Sequence, residues 1–127
     1  MTVPSSDEQE LENWFFENIS TDKKQVFKKF EMTISVMQDA DSIRRVAYEA
    51  VEDLVEDGVV YGELRYAPLQ HLQGKLSSQE VVDAVSTGIK DGQKDFGGEF
   101  YTILCAMRQH KNSTEVAELA IKNFNNK

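Results

Sequence analysis

Apolar residues recur at helical spacing along three stretches in the first half of the chain. The first stretch covers about Asp7 to Glu17, and the second follows the capping segment Ser20 to Asp22. The third, residues 39–57, places its apolar side chains on one stripe opposite a charged face, which predicts a helix that packs on a neighbouring element. We therefore expect a helical region over residues 7–57, after a flexible lead over residues 1–6.

The segment GVVYGELRYAPLQH, from Gly58 to His71, changes the period from helical to alternating. It predicts a strand over residues 59–66 that ends before Pro68. Because strand side chains alternate between faces, one face is predicted to hold Tyr61, Glu63, Arg65 and Ala67. The opposite face is predicted to hold Val60, Leu64 and Tyr66.

Three further elements follow this strand. Ser77 with Glu80 three residues later is typical of a capping box, which predicts a helix over residues 77–95. An apolar run over residues 100–107 predicts a second strand, and residues 113–124 predict a last helix. A strand, a long helix and another apolar strand indicate a βαβ unit with parallel strands. The expected fold class is therefore α/β and rich in helices.

The acid and base on one face of the first strand have two interpretations. Glu63 and Arg65 could form an ion pair on the exposed face of an edge strand. Alternatively they form an inward-facing pair in a closed parallel barrel, where charges are tolerated only when paired and hydrogen-bonded. The spacing alone favours neither.

The chain of 127 residues suits one domain, predicted to comprise residues 7–127. Its net charge of −8 argues against a surface for nucleic acid or for anionic membranes. We see no apolar run long enough to span a membrane, and residues 1–12 are too acidic and polar for a secretory signal. Its single cysteine, Cys105, lies in an apolar run and is expected to be a buried thiol. A cytoplasmic protein is the expectation.

Chemistry-bearing motifs are scarce. His71 and His110 follow the two predicted strands, at the end where parallel α/β proteins bind ligands. Two isolated histidines do not make a zinc site, which needs three or four ligands, so we expect both to be surface loop residues. The loop after the first strand lacks the glycine pattern of a phosphate-binding loop.

One resemblance covers most of the chain, from about Lys23 to Phe124. The segments VAYEAVEDLVEDGVVYGELRYAPLQH, LSSQEVVDAVSTGIKDGQKDFG, ILCAMR and VAELAIKNF are similar to the central N-terminal part of adenosine deaminase, in the metal-dependent adenosine/AMP deaminase family. The resemblance implies a (β/α)8 barrel, a TIM barrel, that uses zinc to hydrolyse adenosine and 2′-deoxyadenosine. It implies that this chain is a partial barrel with strands two and three and about five helices.

The resemblance also implies roles for several residues. Glu63 and Arg65 would point into the barrel as a structural pair. Ala67 and Met107, at the carboxyl ends of the strands, would line the nucleoside pocket. Phe27 and Phe30 lie where the family has a hydrophobic gate, in the helical lid.

The family's catalytic motifs do not occur in these 127 residues. The resemblance implies a His-x-His zinc motif and a His-Ala-Gly-Glu segment, and neither is present. The family's Met-Arg-His becomes Met107, Arg108, Gln109 and His110. We therefore expect a fragment that holds no catalytic residue, binds no zinc and is inactive alone, with zinc and the nucleoside bound only in the complete enzyme.

Two further expectations concern assembly and an alternative function. Exposed strand edges and apolar faces of a partial barrel favour a homodimer or a higher assembly. The alternative function is a non-catalytic module of the same fold that binds a partner protein or a nucleoside.

Overall fold

The computed structural model of the chain describes residues 3–16 and 23–125. By its internal contacts the chain divides into an N-terminal unit, Met1–Met37, and a C-terminal unit, Gln38–Lys127. The single domain predicted over residues 7–127 stays a prediction. None of the helices in the described residues is long and apolar enough to cross a membrane.

The N-terminal unit contains helix α1, Glu8–Phe16, and helix α2, Lys23–Ser35. The carboxylate of Asp7 accepts a hydrogen bond from the Glu10 amide at 2.9 Å, which satisfies one free N–H at the start of α1. At the other end of α1, the Lys29 ammonium donates to the Phe15 carbonyl and lies 5.9 Å from the centre of the Trp14 ring. The predicted capping segment Ser20 to Asp22 lies outside the described residues.

The C-terminal unit contains the sheet and the remaining helices. Its elements are α3, Ala40–Glu56; β1, Tyr61–Tyr66; a short 3₁₀ helix, Pro68–His71; α4, Ser78–Phe96; β2, Glu99–Leu104; and α5, Ser113–Asn123. The two strands are parallel, with Tyr61 opposite Glu99 and Tyr66 opposite Leu104. The described residues thus have five α-helices and two parallel strands, and the α/β prediction is confirmed.

Both strands are shorter than the sequence predicts, for identifiable reasons. The Val59 amide donates to the Leu54 carbonyl at 2.8 Å and so completes the end of α3 instead of starting β1. The second strand ends at Leu104, three residues before the predicted limit. In the described sheet β2 pairs only with β1, and the last bond of the ladder joins the Cys105 amide to the Tyr66 carbonyl at 2.8 Å.

The helix termini follow the sequence signals closely. At α4 the predicted capping box is confirmed: the Ser77 amide donates to the Glu80 carboxylate at 2.8 Å, and the Glu80 amide donates to the Ser77 hydroxyl at 3.3 Å. At α3 the Asp39 carboxylate accepts from the Ser42 amide at 2.9 Å. Gly58, with φ of +86°, follows the end of α3 in a conformation that glycine adopts without strain.

Helices α3 and α4 pack against each other at very short range. A Cβ atom at Gly88 would lie 2.2 Å from the Arg44 carbonyl oxygen, and one at Gly92 would lie 2.8 Å from the Val51 Cβ. These glycines therefore permit close packing of the two helices. Val51 is fully buried in this interface, which forms the core of the C-terminal unit.

The two faces of the sheet differ in exposure. Phe100 is buried, and Gly62 beside it leaves room for its ring, because a Cβ there would lie 3.0 Å from the Phe100 Cδ1. On the opposite face of β1 the side chains of Tyr61, Glu63 and Arg65 lie together, in keeping with the alternation of strand side chains, and they are exposed. We call this second surface the open face of the sheet.

Candidate functional site

The carboxyl ends of β1 and β2 form the candidate site. Tyr66 and Leu104 are paired at this edge, so the loops that start at Ala67 and Cys105 leave the sheet side by side. Parallel α/β proteins bind ligands at this edge, because the loops that follow the strands converge there. Two predicted pocket residues, Ala67 and Met107, lie in these loops, and both are half-buried.

The loop after β1 is fixed to the start of the C-terminal unit by one glutamine. The Gln38 side-chain amide donates to the Gln70 carbonyl at 3.0 Å, and its oxygen accepts from the Gln73 amide at 2.9 Å. Gly74 lies so close that a Cβ there would be 2.8 Å from the Gln38 carbonyl oxygen. Gln38 therefore fixes the position of this loop through contacts at residues 70, 73 and 74.

The loop after β2 is connected to the loop after β1 by a side-chain contact. The Gln70 side-chain nitrogen lies 3.2 Å from Nε2 of His110. The His110 amide in turn donates to the Met107 carbonyl at 3.0 Å. Sequence reasoning missed Gln38 and Gln70, and the only available signal was that Gln70 and His110 each follow a predicted strand.

The two histidines differ in burial. His110 is exposed, as expected, but His71 is only 8% exposed, so the expectation of a surface histidine is wrong there. The reason is that the short helix Pro68–His71 packs on α4 and buries Pro68 completely. Cys105, expected to be a buried thiol, is only half-buried.

The open face carries the acid and base that the sequence singled out. Glu63 and Arg65 share this face, but no ion pair joins them in the described structure, and both are exposed. The Glu63 carboxylate instead accepts from the Tyr61 hydroxyl at 2.9 Å, and this bond raises the pKa of Tyr61 above its ordinary value. A neighbouring donor on the same face thus satisfies the acid, while Arg65 remains exposed to solvent.

A second tyrosine lies beside Tyr61 on this face. The Tyr61 and Tyr101 ring centres lie 5.9 Å apart, and the Tyr101 hydroxyl donates to the Glu99 carboxylate. That bond raises the pKa of Tyr101, so both phenols stay neutral at physiological pH. The open face therefore carries aromatic and charged side chains.

The other two predicted pocket residues lie in the N-terminal unit. On α2 the Phe27 and Phe30 rings are 63% and 61% exposed. Their role as a gate stays a prediction.

The described residues do not offer a donor set for zinc. In residues 3–16 and 23–125, no group of three or more histidine, cysteine, aspartate or glutamate side chains could hold a metal ion. A catalytic zinc site needs three protein ligands in one place. The residues present therefore do not fit the metal that the family resemblance implies, and no chemical step can be built on it here.

Known proteins are similar to this chain over most of its length. The adenosine deaminase family model matches residues 1–127. The chain is 41% identical to adenosine deaminase of Mycobacterium avium (strain 104), in an alignment that covers 94% of this chain and 34% of that protein. It is 42% identical to adenosine deaminase 1 of Streptomyces coelicolor, in an alignment that covers 93% of this chain and 31% of that protein.

A shorter stretch is more similar still. The chain is 49% identical to adenosine deaminase of Mycolicibacterium vanbaalenii, in an alignment that covers 73% of this chain and 27% of that protein. The chain spans about a third of the length of the curated relatives it matches. Since the family model covers the complete sequence, the chain belongs to the adenosine deaminase family.

Proposed function

We propose that these 127 residues are a segment of an enzyme that hydrolyses adenosine or 2′-deoxyadenosine to the corresponding inosine and ammonia. The observation that carries this proposal is the family match over residues 1–127, together with similarity to three adenosine deaminases. The parallel pairing of β1 with β2 supports it, because a (β/α)8 barrel is built from such strands.

The segment contributes one side of the nucleoside pocket in this proposal. Ala67 and Met107 follow the carboxyl ends of neighbouring strands, where apolar side chains of this size suit the flat face of a purine. Phe27 and Phe30 supply the hydrophobic gate, consistent with their exposed rings. Glu63 and Arg65, on the open face, point toward the interior of the complete barrel.

The second part of the proposal is that these residues alone do not turn over adenosine. Hydrolytic deamination needs an activated water that attacks a ring carbon, and an acid that protonates the neighbouring ring nitrogen as that carbon becomes tetrahedral. The sequence contains no His-x-His motif, and the described residues hold no cluster of metal-binding side chains. Zinc and adenosine are therefore bound by the complete enzyme only. The unpaired Cys105 suits a cytoplasmic location, which completes the proposal.

A chimera tests the proposed activity. The aligned segment of Mycobacterium avium adenosine deaminase is replaced by residues 1–127, and the loss of adenosine absorbance is followed on the purified protein. We expect deamination, because the segment supplies the same elements as the one it replaces. A chimera that unfolds cooperatively, binds zinc and leaves adenosine unchanged would contradict the proposal.

The isolated 127-residue chain tests the proposed inactivity. Elemental analysis for zinc and the same absorbance assay are applied to the purified 127-residue protein, and we expect neither metal nor turnover. Stoichiometric zinc with turnover would show that the inactivity is wrong. Adenosine bound by the isolated chain without turnover would instead favour a non-catalytic nucleoside-binding module.

A further inference from the structure

A chain of four contacts crosses the candidate site from one strand end to the other. The backbone of Gln70 is held on both sides, because its amide donates to the Ala67 carbonyl at 3.1 Å and its carbonyl accepts from Gln38 at 3.0 Å. Its side chain then reaches His110 at 3.2 Å. The His110 amide bonds to the Met107 carbonyl at 3.0 Å. Gln70 is thus the connection between the two loops that carry the predicted pocket residues.

We propose that Gln70 is a positioning residue, whose side chain holds the loop after β2 against the loop after β1 and so fixes Met107 relative to Ala67. The proposal rests on the proposed function, in which these two residues line the nucleoside pocket. Gln70 does not touch the reacting atoms in this account. It acts through His110, so its removal weakens nucleoside binding more than it slows the chemical step.

Glutamine suits this contact. The Gln70 amide nitrogen is a donor, and a histidine ring nitrogen that carries no proton is an acceptor. Alanine removes the donor and leaves the two loops without this contact. Glutamate keeps the reach, and its carboxylate accepts from the ring N–H of the other histidine tautomer.

Hydrogen exchange on the 127-residue chain tests the connection directly. In Gln70→Ala we expect the amides of residues 105–112 to lose about threefold to tenfold in protection, the range set by loss of one neutral hydrogen bond. His110→Ala should have the same effect, and the double variant should add nothing, since both remove one contact. Gln70→Glu should keep the protection, because the carboxylate can accept from the His110 ring N–H.

A matched control distinguishes loss of the Gln70–His110 contact from the general effect of removing a glutamine side chain in this loop. Gln73→Ala removes the same side chain from the same loop, where the backbone amide makes the bond to Gln38. This variant should leave the protection of residues 105–112 unchanged. Equal protection in Gln70→Ala and the unmodified chain would overturn the proposal.

Kinetics of the chimera test the consequence for the pocket. Gln70→Ala should raise KM for adenosine about threefold to tenfold and change kcat less than about twofold, which is the pattern of lost ground-state binding. A fall in kcat with unchanged KM, or no change in either, would overturn the positioning role. An unmodified chimera that is folded and inactive would contradict the proposed function and the pocket role with it. The exchange data on the 127-residue chain would still decide whether Gln70 connects the loops.

Discussion

The Tyr66 hydroxyl is buried in the C-terminal unit and has no hydrogen-bond partner among the described residues. Burial, with the nearby charge of Asp83, raises the pKa of Tyr66 well above its ordinary value, so the phenol is neutral. A buried donor without an acceptor costs free energy, because folding removes its bonds to water. Tyr66 therefore offers a test of whether its hydroxyl or its aromatic ring stabilises the fold.

Tyr66→Phe should leave the free energy of unfolding unchanged or raise it by up to about 1 kcal/mol, since only an unsatisfied hydroxyl is removed. Tyr48→Phe is the matched control, because the Tyr48 hydroxyl donates to the Asp95 carboxylate at 2.9 Å and its loss should lower stability. Urea unfolding followed by circular dichroism measures both. A clear loss of stability in Tyr66→Phe would show that its hydroxyl has a partner.

The capping box gives a pH dependence of known sign. Hydrogen bonds from the Ser77 amide and hydroxyl lower the pKa of Glu80 below its ordinary 4.5. Because the folded pKa is depressed, this stabilisation is present above pH 4.5 and is lost as the pH falls through the folded value. Glu80→Gln keeps an acceptor for Ser77 but does not titrate.

The unfolding free energy of the unmodified chain should therefore fall more between about pH 5 and pH 3 than that of Glu80→Gln. Asp39, whose pKa is lowered by its bonds from Ser42, contributes equally to both proteins and cancels in the comparison. Urea unfolding at the two pH values supplies the measurement. Identical pH dependence in both proteins would show that the cap does not perturb Glu80.

Residue-level prediction from sequence succeeded where the partners are neighbours in the chain. The capping box of Ser77 and Glu80 is an example, since both groups lie within one turn of helix. It failed where the partner is distant. The burial of His71 depends on α4, and the contact of Gln70 with His110 joins two loops that only the folded sheet brings together.

At the level of elements, the largest tertiary interface in the C-terminal unit joins α3 and α4. Val51 is fully buried where α3 meets Gly92 of α4, whereas Val46 on the same helix is 45% exposed. The apolar stripe of α3 predicted that one face of this helix would be covered. It did not identify α4 as the covering element, because amphipathic spacing contains no information about the partner.

Val51→Ala should lower the free energy of unfolding by about 2 kcal/mol, through lost transfer free energy and a cavity beside Gly92. Val46→Ala, the matched control on the same helix, should change it by less than about 0.5 kcal/mol. Denaturant unfolding of both variants is the measurement. Equal effects of the two substitutions would contradict the packing of α3 on α4.

The sequence predicts the arrangement of the strands better than it predicts where each strand ends. The parallel arrangement was predictable, because a strand, a helix and a strand allow little else. The end of β2 at Leu104 was not, since it depends on where β1 stops at Tyr66. In the adenosine deaminase family, a TIM-barrel family, this βαβ unit is part of a barrel.

At the level of the molecule, the described sheet has an open edge on each side. Neither β1 nor β2 has a second neighbour in residues 3–16 and 23–125, and a groove of about 900 Å³ lies beside β2, between α4 and α5. Unpaired strand edges and exposed apolar side chains, such as those of Ile121 and Phe124, favour association with other chains. We therefore propose that the isolated 127-residue chain forms a homodimer or a higher assembly.

Light scattering after size-exclusion chromatography, over a range of concentrations, should give a mass above 14.4 kDa for the isolated chain. Ile103→Lys places a charge on the open face of β2, where Ile103 is 43% exposed, and should reduce association. Thr114→Lys, an exposed position at the start of α5, is the control of equal charge. A monomer at every concentration would contradict the proposal.

The parallel pairing of β1 with β2 also orders events during synthesis of the chain. Tyr61 must wait for Glu99 before it has a partner, whereas α4 is complete at Phe96. As the polypeptide leaves the ribosome, α3 and α4 can therefore pack before the sheet exists, and α4 is the surface on which β2 is subsequently assembled.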